Sequence, residues 1–165
     1  MSWSEMFRPG MRAYFIPLLS GIALSLSAFL PWIHVGDVSL SGMTEMAALW
    51  ILGFGALAAV LATLSLITRR NSRHPLLVIG LASFGIMFLS WRIMPRMAGE
   101  RALTRSQAVA IVEGSSTVDP PVTRVGTGIY LGLIASTVLV AFGMTIVVRR
   151  ASQPYTVVST DDDVE

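Results

Sequence analysis

The chain has 165 residues, of which 53% are hydrophobic and 13% charged. Soluble domains carry roughly 25% charged residues, so the composition excludes an ordinary soluble globule and points to a bilayer. The formal net charge is +2 and cysteine is absent, which excludes disulfides, thiolate metal sites and a cysteine nucleophile, while the small charge and the scatter of arginines over helix ends argue against nucleic acid as a partner.

Residues 1–12, with Arg8 and Arg12, form a short N-terminal segment expected in the cytoplasm. A bilayer core of ~30 Å takes about 20 helical residues, and the first stretch of that length is Ala13 to Trp32. A cleavable signal peptide is the competing reading, but the apolar part exceeds the usual core of roughly 7–15 residues. On this span Gly21 and Ser25 stand four apart, the spacing that lets helix backbones approach closely.

The span ends in the stretch Leu30 to Gly42, "LPWIHVGDVSLSG". Pro31 lacks an N–H and pushes its predecessor out of helical geometry. Gly36-Asp37 then stands between two alternating runs, the pattern of a two-residue type II′ hairpin. In that register Val35 faces Val38, His34 faces Ser39 and Ile33 faces Leu40, with the apolar pairs on one face. His34, Asp37 and Glu45 share this loop and are read as solvated polar residues rather than a metal site.

The second span, Met46 to Thr68, carries Gly55 and Ala59 four apart. The loop "RRNSRHP" follows, with Arg69, Arg70 and Arg73, and the third span runs from Pro75 to Met94 with Arg92 near its end. Arg96 to Glu113 is rich in helix formers and reads either as a continuation of that span or as a short helix on the membrane surface; Gly114 stops it. Gly114 to Thr117 is expected to be a loop and Asp119-Pro120-Pro121 a stiff element. Val122 to Val125 alternates and is placed to add a third strand to the hairpin once the prolines are passed. The fourth span, Gly126 to Val148, carries Gly128, Gly132 and Ser136 at four-residue intervals. Gly126-Thr127-Gly128 lacks the third glycine and the strand context of a dinucleotide site, so tight helix packing is its expected role. Residues 149–165 end in "STDDDVE", an acidic tail whose composition predicts disorder.

Orientation follows from the arginines. The first loop has none, whereas the loop at 69–74 and both flanks do, so the positive-inside rule places both termini in the cytoplasm. Trp32, Trp50, Trp91 and Tyr130 then fall at the outer ends of the four spans, with Tyr14 and Phe15 at an inner end. Such rings favour the lipid interface; the alternative is that they mark a surface for docking a partner.

The span interiors hold no acidic residue, lysine or histidine, so their serines and threonines have no base beside them and a hydrolase is not expected. Transporters usually carry intramembrane ionisable groups and paired repeats, neither of which is evident. The layout resembles small four-span integral membrane proteins of bacteria, which often carry Pro-Trp at the end of the first span, Ser-x-Ser-Gly in the outer loop and Gly-x-Gly-x-aromatic-Leu at the start of the fourth. The matching residues are Pro31-Trp32, Ser39-Leu40-Ser41-Gly42 and Gly126-Thr127-Gly128-Ile129-Tyr130-Leu131. The expectation is an all-α membrane protein: a four-helix transmembrane bundle with a small extracytoplasmic β-hairpin and a short outer helix, in the bacterial cytoplasmic membrane. No catalytic, metal or cofactor site and no cofactor are expected. The partners expected are the lipid bilayer and other membrane subunits or further copies of the chain. The function expected is that of a non-enzymatic accessory or scaffolding subunit of a larger membrane complex; the alternative is a small oligomeric permeation protein.

Overall fold

The computed structural model describes residues 12–68, 73–114 and 122–151. The sequence readings of residues 1–11, 69–72, 115–121 and 152–165 lie outside the described residues. A 3-10 turn at Arg12–Tyr14 leads into α1 (Phe15–Ser27), β1 (Pro31–Val35), β2 (Val38–Ser41), α2 (Met46–Thr68), α3 (Arg73–Glu113), β3 (Thr123–Val125) and α4 (Thr127–Ala151). The described residues are mostly helical, with four helices and one small sheet.

By length and composition α2, α3 and Thr127–Thr145 of α4 are long and apolar enough to cross a membrane. In lipid a backbone must bond to itself, and several hydroxyls in these helices bond to their own helix as well, although the buried Ser83 Oγ has no partner among the described residues. Thr63 donates to the Ala59 carbonyl, Ser65 to Leu61 and Thr137 to Leu133, so polar side chains are hidden against their own helix. Large apolar residues such as Leu19, Leu57, Val60 and Val78 point outward, while the interior takes Leu24, Ile51, Leu76, Met87, Ile129 and Leu139.

The first expected span needs correction. The helix there is 13 residues long, about 20 Å, and it ends at Ser27 instead of running to Trp32. Pro31 and Trp32 are the first residues of β1. Of the two readings of Arg96–Glu113 the structure has the continuation and not the short separate outer helix: it is the second half of α3, one helix of 41 residues with Pro95 inside it. A proline deletes one i→i−4 bond, and the Ala- and Arg-rich sequence after it supports the turns that follow. The whole helix is about 60 Å long, roughly twice a bilayer core, so its second half is an arm beyond the apolar segment.

Within the bundle α1 packs between α2 and α4, and α3 packs chiefly on α4. The sheet lies where α1 ends and α2 and α4 begin, with order β2-β1-β3. β1 and β2 pair antiparallel as Val35–Val38, His34–Ser39 and Ile33–Leu40, the register expected from alternation. β3 pairs with the other edge of β1 as Ile33–Val125, His34–Arg124 and Val35–Thr123. The hairpin is therefore one part of a three-stranded sheet. Leu40, Ile33 and Val125 run across one face, with Val38, Val35 and Thr123 beside them; the period of two puts His34, Ser39 and Arg124 on the other.

Candidate functional site

Trp32 organises the sheet end of the bundle. Its indole is 1% exposed, and its Nε1–H donates to the Ser27 carbonyl at 2.8 Å. Glycines surround the ring because nothing larger fits. A Cβ on Gly42 would lie 2.5 Å from Trp32 Nε1, and one on Gly128 would lie 2.6 Å from its Cδ1 and 2.8 Å from the Ser27 carbonyl oxygen. Gly126 sits against the Pro31 carbonyl, and its N–H donates to the Trp32 carbonyl at 2.7 Å. Ser41 Oγ donates to the Phe29 carbonyl at 3.2 Å, and the Gly42 N–H donates to the Leu30 carbonyl at 3.2 Å. The three short motifs noted in the sequence thus converge on one knot that closes the end of α1.

Trp32 is accordingly a correction to the expected ring of interfacial aromatics: it is core, not a lipid- or partner-facing residue. Trp50, Trp91 and Tyr130 are exposed. On α3, Phe84, Phe88 and Trp91 form an outward ladder, with successive ring centroids 6.2 and 5.8 Å apart. Tyr14 is buried at the far end of the bundle, edge-on to Phe142 at 5.4 Å, with the Arg73 guanidinium 5.5 Å from the Phe142 ring.

The small residues occupy helix contacts. A Cβ on Gly21 would lie 2.7 Å from the Ala59 nitrogen and 2.9 Å from the Gly55 carbonyl oxygen, and one on Gly55 would lie 2.6 Å from the Ser25 nitrogen. Ser25 Oγ donates to the Leu52 carbonyl at 3.5 Å. Gly132 faces Met87, and its Cβ would lie 3.1 Å from Ser27 Oγ. Ser136 is fully buried and donates to the Leu133 carbonyl at 3.0 Å. His34 is on β1, Asp37 in the turn beside Gly36, and Glu45 before α2. Among the described residues no group of three or more His, Asp or Glu is arranged to hold a metal.

A cleft of about 610 Å³ lies between the apolar face of the sheet and the α3 arm. One wall is Ile33, Val35, Val38 and Leu40; the other is Met94, Met97, Ala98, Arg101, Ala102, Arg105, Ser106 and Val109. Ser41, Thr44 and Glu45 edge it, and the Trp32 knot forms part of its floor. The volume is in the roughly 300–1,000 Å³ range of small-molecule sites, which are apolar with a few placed polar groups. Near its base the arm meets the sheet, where a Cβ on Gly99 would lie 3.6 Å from the Thr123 side chain. Farther out Val109 is exposed, and Ile111 and Val112 are 82% and 86% exposed.

An isolated hairpin is marginal in water, so the sequence calls for cover over its apolar face from the second outer segment or from another protein; the cleft between that face and the arm was not expected. The lining positions on α3 recur at intervals of three and four, which is one face of a helix. That signal marks a helical face but not what lies opposite it. No family model, curated protein or solved structure matches the chain.

Proposed function

We propose that the chain is a non-enzymatic integral membrane protein of the bacterial cytoplasmic membrane, serving as an accessory or scaffolding subunit of a larger membrane complex. It crosses four times with both termini in the cytoplasm. The first crossing is made by α1 together with the 3-10 turn before it and the Ala28–Leu30 turn after it, since the helix alone is too short. The positive-inside pattern supports the orientation.

The observation that carries the docking role is the arm. From Pro95 to Glu113 it extends about 28 Å past the apolar half of α3, and it ends with Ile111 and Val112 almost fully exposed. Ile111 and Val112 are adjacent, and burying the pair against a partner subunit would remove their apolar surface from water. The test is site-specific photocrosslinking from Val112 in native membranes, with lipid-facing Leu57 as the reference. The expected result is one discrete heterologous adduct from Val112, lost in an Ile111→Asp variant that keeps its fold. Adducts only between copies of the chain, together with ion flux in liposomes, would favour an oligomeric permeation protein instead.

A further inference from the structure

We infer that the cleft between the sheet and the α3 arm binds an anionic phospholipid of the adjoining leaflet, with Arg101 and Arg105 on its phosphate and one acyl chain laid against the sheet. The inference rests on the membrane reading above, but it concerns a different surface from the arm tip.

Position is the first support. The cleft begins at Met94, one helical turn past the exposed ring of Trp91, where the apolar half of α3 gives way to its polar half. A lipid can enter there sideways, without leaving the interface. Lining chemistry is the second. Ile33, Val35 and Leu40 face Met94, Ala98 and Val109 across a space of about 610 Å³. An apolar chain in that space would remove these surfaces from water, which a small hydrophilic anion could not do. Methionine at the mouth suits a flexible chain, because its unbranched side chain adapts to irregular shapes.

Charge is the third. Arg101 and Arg105 are four apart, so they lie on one face of the helix, one turn from each other, and both line the cleft. Glu45 on the opposite rim is the only acidic residue among the lining residues, which leaves an excess of one positive charge. Among the described residues no ion pair holds either guanidinium. Guanidinium forks match phosphate geometry and bond it in charge-assisted pairs. A zwitterionic head would bring its own cation into this field and gain less.

The test is native mass spectrometry of the full chain in dodecyl maltoside, titrated with phosphatidylglycerol or with phosphatidylcholine of the same acyl chains. The wild type should bind phosphatidylglycerol about tenfold more tightly, equivalent to roughly 1.4 kcal/mol. Arg101→Gln with Arg105→Gln should remove that preference, and Arg101→Lys with Arg105→Lys should keep part of it. Ala102→Trp, which fills the cleft, should lose both lipids; Val38→Asp on the exposed sheet face serves if that variant does not fold. Equal binding of the two lipids by the wild type would overturn the inference, as would a preference that survives the double glutamine variant. Saturation by glycerol phosphate alone would reassign the cleft to a free anion, and displacement of lipid by a bound peptide would reassign it to protein docking. Failure here with a persistent Val112 adduct leaves the accessory reading standing. Loss of that adduct with lipid selectivity intact removes the accessory reading and not this one.

Discussion

The indole N–H of Trp32 donates to the carbonyl of Ser27 across 2.8 Å, so a strand residue closes the helix that precedes it. The carbonyls of a helix C-terminus have no partner within the helix, and near hydrocarbon water cannot be relied on to supply one. Here Ala28 and Phe29 N–H groups take Ser25 and Leu26, Trp32 takes Ser27, Ser41 takes Phe29 and Gly42 takes Leu30. The end of α1 and the start of the sheet are therefore one bonded unit. Trp32→Phe keeps most of the ring volume but strands the Ser27 carbonyl, and should lower stability in detergent by about 1–3 kcal/mol. Trp32→Ala adds a cavity and should cost about 3–5 kcal/mol. Thermal unfolding that ranks phenylalanine equal to wild type would show that the hydrogen bond contributes nothing.

The glycines differ in how much their surroundings can yield. In lipid there is little hydrophobic drive between helices, and close packing carries the association. The two atoms nearest a Cβ on Gly21 are backbone atoms of α2 and the third is the Ala58 Cβ, none of which can move without shifting the helix. The atoms crowding Gly132 include the end of the Met87 side chain, which can swing aside. Nothing lies within 4 Å of a Cβ placed on Gly53. Gly21→Ala should thus cost about 1–3 kcal/mol, Gly132→Ala less, and Gly53→Ala should be neutral or slightly stabilising through helix propensity. Denaturation profiles of the three variants in one detergent check the order. Gly21→Ala matching Gly53→Ala would mean that α1 and α2 separate without cost.

What the sequence made legible was local. The hairpin register followed from Gly36-Asp37 and the alternation on each side, because turn length alone sets which residues face each other. The span lengths of α2 and α4 followed from uninterrupted apolar runs. The end of α1 did not, because the residues that close it are Trp32, Ser41 and Gly42, which act through folded-back contacts and not through propensity. A hydropathy window counts Ala28 to Trp32 as more span, since Phe29, Leu30 and Trp32 are apolar whether they lie in a helix or a strand. The cleft was out of reach for a similar reason: each wall has its own periodicity, but their meeting depends on how α3 is set beside the sheet.

Topology can be read directly, because the chain has no cysteine of its own. His74 and Thr104 are both exposed on α3, one at its start and one on the arm. With the arm outside, Thr104→Cys should react with an impermeant maleimide on intact cells, while His74→Cys should react only after the membrane is opened. Labelling of His74→Cys alone on intact cells would invert the orientation and move the cleft to the cytoplasmic leaflet.

Gly36 carries φ 57°, the left-handed value that hairpin turns of the primed types demand at their first central residue. The position is exposed, and at this φ a substitution carries a conformational cost. Its N–H also donates to the Val122 carbonyl at 3.0 Å, which ties the turn to the segment entering β3. A β-branched residue tolerates this φ worst and asparagine best among residues with a Cβ. Gly36→Val should therefore lower stability by about 1–3 kcal/mol, Gly36→Ala by less, and Gly36→Asn by least. Asp37→Asn should change little, since both residues suit turns. The sheet face formed by Val35, Val38, Ile33 and Leu40 is one wall of the cleft, so a turn forced to repack should loosen that wall while the helices persist. Gly36→Val should then keep its helical circular dichroism and show faster hydrogen exchange at the amides of Ile33 to Leu40. A Gly36→Val protein with wild-type melting and wild-type exchange in that segment would mean that the turn does not depend on its left-handed residue.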